Sequence, residues 1–181
     1  MDEKISLELE KYVKMNLDDS YQVPVSKLYA NMLNAEVTAR DRETLLEIAA
    51  DEGQVTLYSG AGTRIMQQGI VDYENGMPKV FRSSKINLNI TLRSITSGIP
   101  LRALDIMGAG GFLMSNYQPE LAEYFIDGHD IVLFDSPEDM RWKVNYYLQH
   151  DEERQQIAQN GFEKVKKEFS YDIQLKKMLQ L

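Results

Sequence analysis

The residues best suited to bind an anionic ligand lie in a stretch without acidic side chains. Between positions 75 and 104 the sequence has no aspartate or glutamate, and its five basic residues are Lys79, Arg82, Lys85, Arg93 and Arg102. Cations gathered in this way can bind a phosphate or pyrophosphate, and open α/β sheets bind such ligands at the carboxyl ends of their strands. The alternative is a solvated surface, or one whose cations pair with acids from other parts of the chain. Both interpretations stay open at this point.

Asp105 is the first acid after this stretch and lies in the segment PLRALDIMGAG. A carboxylate near the ligand crevice of a sheet can accept hydrogen bonds from ribose hydroxyls. Asp105 can also pair with Arg102, which precedes it by three residues on the same face of a helix. The two roles are compatible, so Asp105 is a candidate binding residue.

Two glycine clusters flank predicted elements. The segment SGAGT, residues 59–63, follows a predicted strand, so the amides of Gly60 and Gly62 can approach an anion closely. It completes neither the dinucleotide-binding glycine motif nor a P-loop, and a plain turn is the alternative. The segment GAGG, residues 108–111, follows a predicted helix, where a C-terminal cap favours glycine. Its three glycines exceed what one cap requires, which allows close approach of a ligand.

The composition excludes several classes of protein. The chain has 181 residues, a net charge of −8 and no cysteine, so disulfides, zinc–thiolate sites and thiol nucleophiles are excluded. Non-specific nucleic-acid binding requires a basic surface, which an acidic chain lacks overall. No apolar run approaches the roughly 20 residues that span a bilayer, and the acidic N-terminus is unlike a signal peptide. We therefore expect a cytoplasmic protein with no nucleic-acid partner, no membrane span and no metal site.

Hydrophobic periodicity divides the chain into a helical segment, residues 1–53, and an α/β region, residues 54–181. The predicted strands are QVTLY, KINLNIT, GFLMS and DIVLF, and the predicted helices are PLRALDIMGA, PELAEYF, SPEDMRWKVNYYLQ, residues 151–169 and residues 171–181. In KINLNIT the alternation predicts that Ile86, Leu88 and Ile90 face inward. Strands that alternate with helices predict an α/β fold, a Rossmann-like parallel sheet with crossover helices, extended by helices at both ends.

The ordered series of segments resembles a known family. From SKINLNIT through SGIPLRALDIMGAGGFLMSNYQPELAEYF to SPEDMRWKVNYYLQ and SYDIQLKKML, the sequence is similar to the C-terminal half of GT-B glycosyltransferases of group 1. It is most similar to the CgeB-type spore-maturation branch, over about residues 54–181. The resemblance implies a Rossmann-like domain that binds a nucleotide-diphosphate sugar. Residues 1–53 resemble the helical segment that joins this domain to an N-terminal acceptor domain.

The resemblance assigns roles to individual residues. The family's ribose-binding acid falls on Asp105, with aspartate in place of the more usual glutamate, and the glycine five residues later is Gly110. A donor-sugar glutamate that many members carry eight residues earlier is Ser97 here. By the same resemblance, the amides of Gly110 and Gly111 face the diphosphate, and Arg102 offsets its charge.

The same resemblance extends the binding site to the strands. Lys85 also offsets the charge of the diphosphate, and Asn87 is counted among the donor-binding residues. The loop that holds Gly60 and Gly62 faces the donor phosphates from the first strand.

These roles predict a donor-binding domain for sugar transfer, with no metal and no cofactor beyond the nucleotide sugar. Departure of the diphosphate builds negative charge, which fixed cations and amide dipoles can stabilise. In such enzymes the N-terminal domain holds the acceptor and the general base, so whether this chain alone is an enzyme stays open. One alternative is a non-catalytic interaction or dimerisation module whose helical flanks bind a partner or a second copy. Another is a small nucleotide-binding regulator that uses residues 59–63.

Overall fold

The computed structural model describes residues 25–59, 67–95 and 97–180. The helices within these ranges are α1 (Val25–Glu52), α2 (Met77–Ser83), α3 (Leu101–Gly108), α4 (Pro119–Tyr124), α5 (Pro137–Gln149), α6 (Asp151–Glu168) and α7 (Tyr171–Leu179). The strands are β1 (Asn87–Asn89), β2 (Leu113–Asn116) and β3 (Val132–Phe134).

The three strands form one parallel sheet in the order β1-β2-β3. Asn87 is paired with Leu113, and Met114 with Val132, so each strand follows its neighbour through a crossover helix. Parallel strands require such crossovers, because a tight hairpin can join only antiparallel strands. The predicted α/β architecture with a parallel sheet is therefore confirmed.

The helix boundaries follow local signals in the sequence. At the start of α5, the Asp139 amide donates to Ser136 Oγ at 3.2 Å, so the serine is the N-cap that this segment favours. Helix α2 is absent from the sequence-based prediction, although a proline stands in its first turn. The predicted strand QVTLY is reduced to an isolated bridge between Leu57 and Gln67, because no described neighbour extends it into a ladder.

Strand β1 is buried differently from the prediction. Ile86, Leu88 and Ile90 are half-buried, whereas Asn87 and Asn89 are 8% and 7% exposed. The three apolar side chains pack against a hydrophobic core as predicted, and the asparagines between them are buried as well, because helices cover both faces of a parallel sheet. Asn87 compensates its burial by donating to the carbonyl oxygens of Phe81 at 2.9 Å and of Phe112 at 3.1 Å.

Alternate residues of the strands enter two hydrophobic cores. Met114 and Val132 belong to the first core, with residues of α1, α5 and α6. Leu113 and Leu133 belong to the second, with residues of α3, α4 and α6. Since successive side chains of a strand point to opposite faces, each core covers one face of the sheet.

The chain forms two compact units, Met1–Asp41 with Leu92–Thr96, and Arg42–Thr91 with Ser97–Leu181. In the first unit, the Arg93 amide donates to Thr38 Oγ1 at 3.1 Å, and Arg93 Nε lies 2.5 Å from Asp41 Oδ2. The second unit contains the sheet and both cores, including Leu45 and Ala49 of α1. The division at residue 53 stays a prediction.

Gly161 marks the closest approach of α6 to the rest of the second unit. A Cβ at this position would lie 2.5 Å from the Asp130 carbonyl oxygen and 3.3 Å from Met107 Sδ. In an open helix, replacing glycine by alanine stabilises by about 1 kcal/mol. Here we expect Gly161→Ala to destabilise by about 1–3 kcal/mol, because the backbone must move to admit the methyl group.

Urea denaturation followed by circular dichroism measures this difference. The matched control is Gly108→Ala, whose added Cβ would meet its nearest atom, Val165 Cγ1, at 3.8 Å. A Gly161→Ala protein at least as stable as its parent would show that α6 is not held this closely.

Candidate functional site

A cavity of about 280 Å³ opens beside α2 and α3. Its lining residues are Tyr73, Pro78, Phe81, Leu104, Asp105, Gly108 and Ala109. The volume lies just below the range of about 300–1,000 Å³ that is usual for small-molecule pockets. Most of the lining groups are apolar or aromatic, and Asp105 supplies a carboxylate among them.

Asp105 is bound to a side chain that comes from a distant part of the sequence. The Tyr73 hydroxyl donates a hydrogen bond to Asp105 Oδ2. This bond, then partial burial and the charge of Asp105, raise the pKa of Tyr73 above its ordinary value. The phenol is therefore protonated at neutral pH, and the carboxylate on the cavity wall accepts a hydroxyl group.

Arg102 packs on the aromatic rings next to this pair. Its guanidinium carbon lies 5.6 Å from the ring centroid of Tyr73 and 5.7 Å from that of Phe81, within the range of cation–π interactions. Both rings line the cavity. The structure thus places Asp105 on the wall of the cavity and Arg102 against two of the rings that line it.

Lys85 lies elsewhere, just before the amino end of β1. Its Nζ is 3.2 Å from Asp151 Oδ1 and donates to the Leu148 carbonyl oxygen at 3.5 Å. Arg154 first, and Lys85 second, lower the pKa of Asp151. For Lys85 the structure therefore matches the alternative reading, in which cations of the basic stretch pair with acids from elsewhere.

Gly110 and Gly111 close the C-terminal end of α3. Their amides donate to the carbonyl oxygens of Met107 and Ile106, each at 2.9 Å, and Gly110 has φ of +77°. This is the helix cap that favours glycine. The expectation that these two amides face a diphosphate is not met here, because both hydrogens are already donated within the chain.

The remaining predicted site residues have different positions. Asn87 is buried, and its side-chain amide is bound to the Phe81 and Phe112 carbonyls described above. Ser97 is exposed shortly before α3. Gly60 and Gly62 lie outside the described residues.

A buried polar network that the sequence analysis missed lies at the carboxyl ends of β1 and β2. Asn89 Nδ2 donates to Ser115 Oγ at 2.9 Å and to Thr91 Oγ1 at 3.1 Å. The Thr91 amide donates to Asn116 Oδ1 at 2.8 Å. The two asparagines of the NLNIT segment are the sequence feature that could have indicated this network, because buried side-chain amides usually have hydrogen-bond partners.

A comparison with protein families identifies the chain. A family model described as Glycosyl transferase-like matches residues 40–180. The chain belongs to this glycosyl transferase-like family. No curated protein matches the chain.

Two solved structures resemble this glycosyl transferase-like chain. The crystal structure of TarM has a TM-score of 0.57 and 14% identity, covering 99% of this chain and 42% of TarM. The C-terminal domain of a glycosyl transferase group 1 family protein (LpcC) from Francisella tularensis has a TM-score of 0.49 and 22% identity. That match covers 60% of this chain and 55% of the other. The chain thus spans about half the length of these structures. The likeness to TarM agrees with the Rossmann-like α/β fold described above.

Two further observations concern metals and membranes. In residues 25–59, 67–95 and 97–180, no group of three histidine, aspartate or glutamate side chains is arranged to hold a metal ion. Over the same part of the glycosyl transferase-like chain, no helix combines the length and apolar composition needed to cross a bilayer.

The polar network predicts a specific cost for removing Asn89. Asn89→Ala leaves the Ser115 and Thr91 hydroxyls without their buried donor, so we expect a loss of about 1–3 kcal/mol in the free energy of unfolding. The control is Asn145→Ala, since Asn145 is exposed and donates to Glu52 at 2.9 Å on the surface. Its expected effect in the same urea titration is within about 0.5 kcal/mol. Equal effects of the two substitutions would contradict a stabilising role for the network.

Proposed function

We propose that this chain is the donor-binding domain of a glycosyltransferase and that Asp105 binds the ribose of a nucleotide-diphosphate sugar. The observation that carries the proposal is the position of the Asp105 carboxylate on the wall of the 280 Å³ cavity, two of whose aromatic rings contact the Arg102 guanidinium. Membership in the glycosyl transferase-like family supplies the class of reaction.

The groups around the cavity suit the parts of a nucleotide. An ionised carboxylate only accepts hydrogen bonds, so it matches the two hydroxyls of a ribose. Pro78, Phe81 and Leu104 give the cavity an apolar wall, which suits the flat face of a base. Arg102 is a fixed cation beside the cavity, and such a charge favours a departing diphosphate. In this proposal no divalent ion is required for that role.

The finer assignment is also a proposal. The ordered resemblance from SKINLNIT to SYDIQLKKML supports the CgeB-type spore-maturation branch, and a cytoplasmic location stays part of the proposal. Ser97 and the loop of Gly60 and Gly62 stay candidates for contacts to the donor. By the same resemblance, the acceptor site and the general base belong to an N-terminal domain.

Calorimetric titration with UDP, GDP, ADP and dTDP tests the proposal. We expect one of them to bind and Asp105→Asn to weaken that binding by about 10-fold or more, since hydrogen bonds to a charged group contribute about 1.5–3 kcal/mol. The control is Glu123→Gln, which neutralises an exposed acid of α4. Its affinity is expected to equal that of the parent.

Two results would contradict the proposal. One is that none of the nucleotides binds to the folded chain. The other is a nucleotide whose affinity is the same for Asp105→Asn as for the parent protein.

A non-catalytic interaction module is the second candidate, and the surface of α7 favours it. Four large apolar side chains of this helix are mostly exposed: Tyr171 (86%), Leu175 (51%), Met178 (78%) and Leu179 (64%). They recur at helical spacing, so they form one apolar stripe. Contiguous exposed apolar surface marks contact with another protein or a second copy.

Light scattering at micromolar protein concentrations tests this second candidate. Self-association through α7 predicts a dimer that becomes a monomer in the double variant Leu175→Ser and Met178→Ser. The control changes two polar residues of the same helix, Lys176→Ser and Lys177→Ser, and should keep the dimer. A monomeric parent protein would show that this stripe does not mediate self-association.

A further inference from the structure

In the proposed function, the Asp105 carboxylate accepts hydrogen bonds from a ribose. In the structure, this carboxylate already accepts a hydrogen bond from Tyr73. The Tyr73 hydroxyl donates its hydrogen bond to Asp105 Oδ2, and both residues line the same cavity. A phenol hydroxyl and a ribose hydroxyl can each donate a hydrogen bond to a carboxylate oxygen. The Tyr73 hydroxyl therefore occupies an acceptor position on Asp105 that a ribose hydroxyl would use.

Tyr73 lies in a turn and not in a strand or a helix. The turn precedes α2 and is held by Asp72, whose carbonyl oxygen accepts from the Gly76 amide at 3.1 Å and the Met77 amide at 2.8 Å. Asp72 Oδ1 accepts from the Asn75 amide at 2.7 Å. The backbone is thus fixed, whereas the Tyr73 side chain is 55% exposed and has solvent into which to rotate.

The charged and titratable neighbours of the phenol keep it in its donor form. The hydrogen bond to Asp105, then partial burial and the charge of Asp105, raise the pKa of Tyr73; Arg102 lowers it by less than these, and Tyr171 raises it by the least. The net direction is upward, so the hydroxyl keeps its proton at neutral pH and holds the carboxylate of Asp105 until another donor replaces it.

We propose that Tyr73 is a gate that imitates the ribose: in the empty domain its hydroxyl occupies the ribose position on Asp105, and nucleotide binding displaces it. The inference rests on the proposed function, because it requires a ribose to reach Asp105. Binding then exchanges one O–H donor for another at the same carboxylate. The exchange lowers the affinity for the nucleotide and rejects ligands whose hydroxyls cannot replace the phenol.

Removing the phenol hydroxyl tests the gate. Tyr73→Phe keeps the ring that packs on Arg102 but removes the competing donor, so it is expected to bind the nucleoside diphosphate about 3- to 10-fold more tightly. This direction is opposite to the usual effect of deleting a polar group from a binding site. The control is Tyr124→Phe, at a half-exposed tyrosine of α4, which should leave the affinity unchanged.

The double variant of Tyr73→Phe with Asp105→Asn makes the test specific. If the phenol acts only through the carboxylate, Tyr73→Phe should have a smaller effect in the Asp105→Asn background than in the parent protein. Calorimetry gives the four affinities, and thermal denaturation of the unliganded proteins checks that each is folded. A merely structural role of Tyr73 would change the denaturation midpoint without this coupling.

The outcomes separate the gate from the proposed function. If Asp105→Asn weakens binding while Tyr73→Phe binds as the parent or more weakly, the gate is overturned and the donor-binding function stands. If no nucleoside diphosphate binds to the parent or to Tyr73→Phe, the proposed function is overturned and the gate with it. Tighter binding by Tyr73→Phe that persists unchanged with Asp105→Asn would also overturn the gate.

Discussion

The backbone of Gly111 lies so close to the end of α2 that no side chain fits between them. A Cβ there would be 2.7 Å from the Phe81 carbonyl oxygen and 2.8 Å from Asn87 Nδ2. The same Phe81 oxygen accepts the Asn87 side-chain amide at 2.9 Å. This contact joins α2, β1 and the start of β2 at one point, next to the cavity that residues of α2 and α3 line. Two residues expected to touch a ligand thus act by holding the walls of its site.

The basic residues of the acid-free stretch also divide into those that form ion pairs within the fold and one that lies at the candidate site. Of the basic residues in the acid-free stretch, Lys85 pairs with Asp151 in the second unit, and Arg93 pairs with Asp41 in the first. Arg102 instead packs on the two rings that line the cavity. In a chain with a net charge of −8, every aspartate and glutamate lies outside this stretch, so a cation beside the cavity gives an anionic ligand a local attraction.

The sequence was sufficient for those features that depend on local pattern. The Ser136 cap, the helix of Asp105 and the alternation of strands with helices are each encoded within about 20 residues, and the structure has all of them. The pairing of Tyr73 with Asp105 joins residues 32 positions apart, and no local period indicates it. The burial of Asn87 was missed for a related reason, since its acceptors are carbonyl oxygens on α2 and just before β2. Such partners exist only once the chain has folded.

The most direct test of the account is a crystal structure of the chain with a bound nucleoside diphosphate. We expect the ribose hydroxyls to lie within hydrogen-bond distance, about 2.6–3.2 Å, of the Asp105 carboxylate oxygens, with the Tyr73 side chain moved away. A nucleotide bound at any other surface, with the Tyr73 hydroxyl still on Asp105, would contradict it.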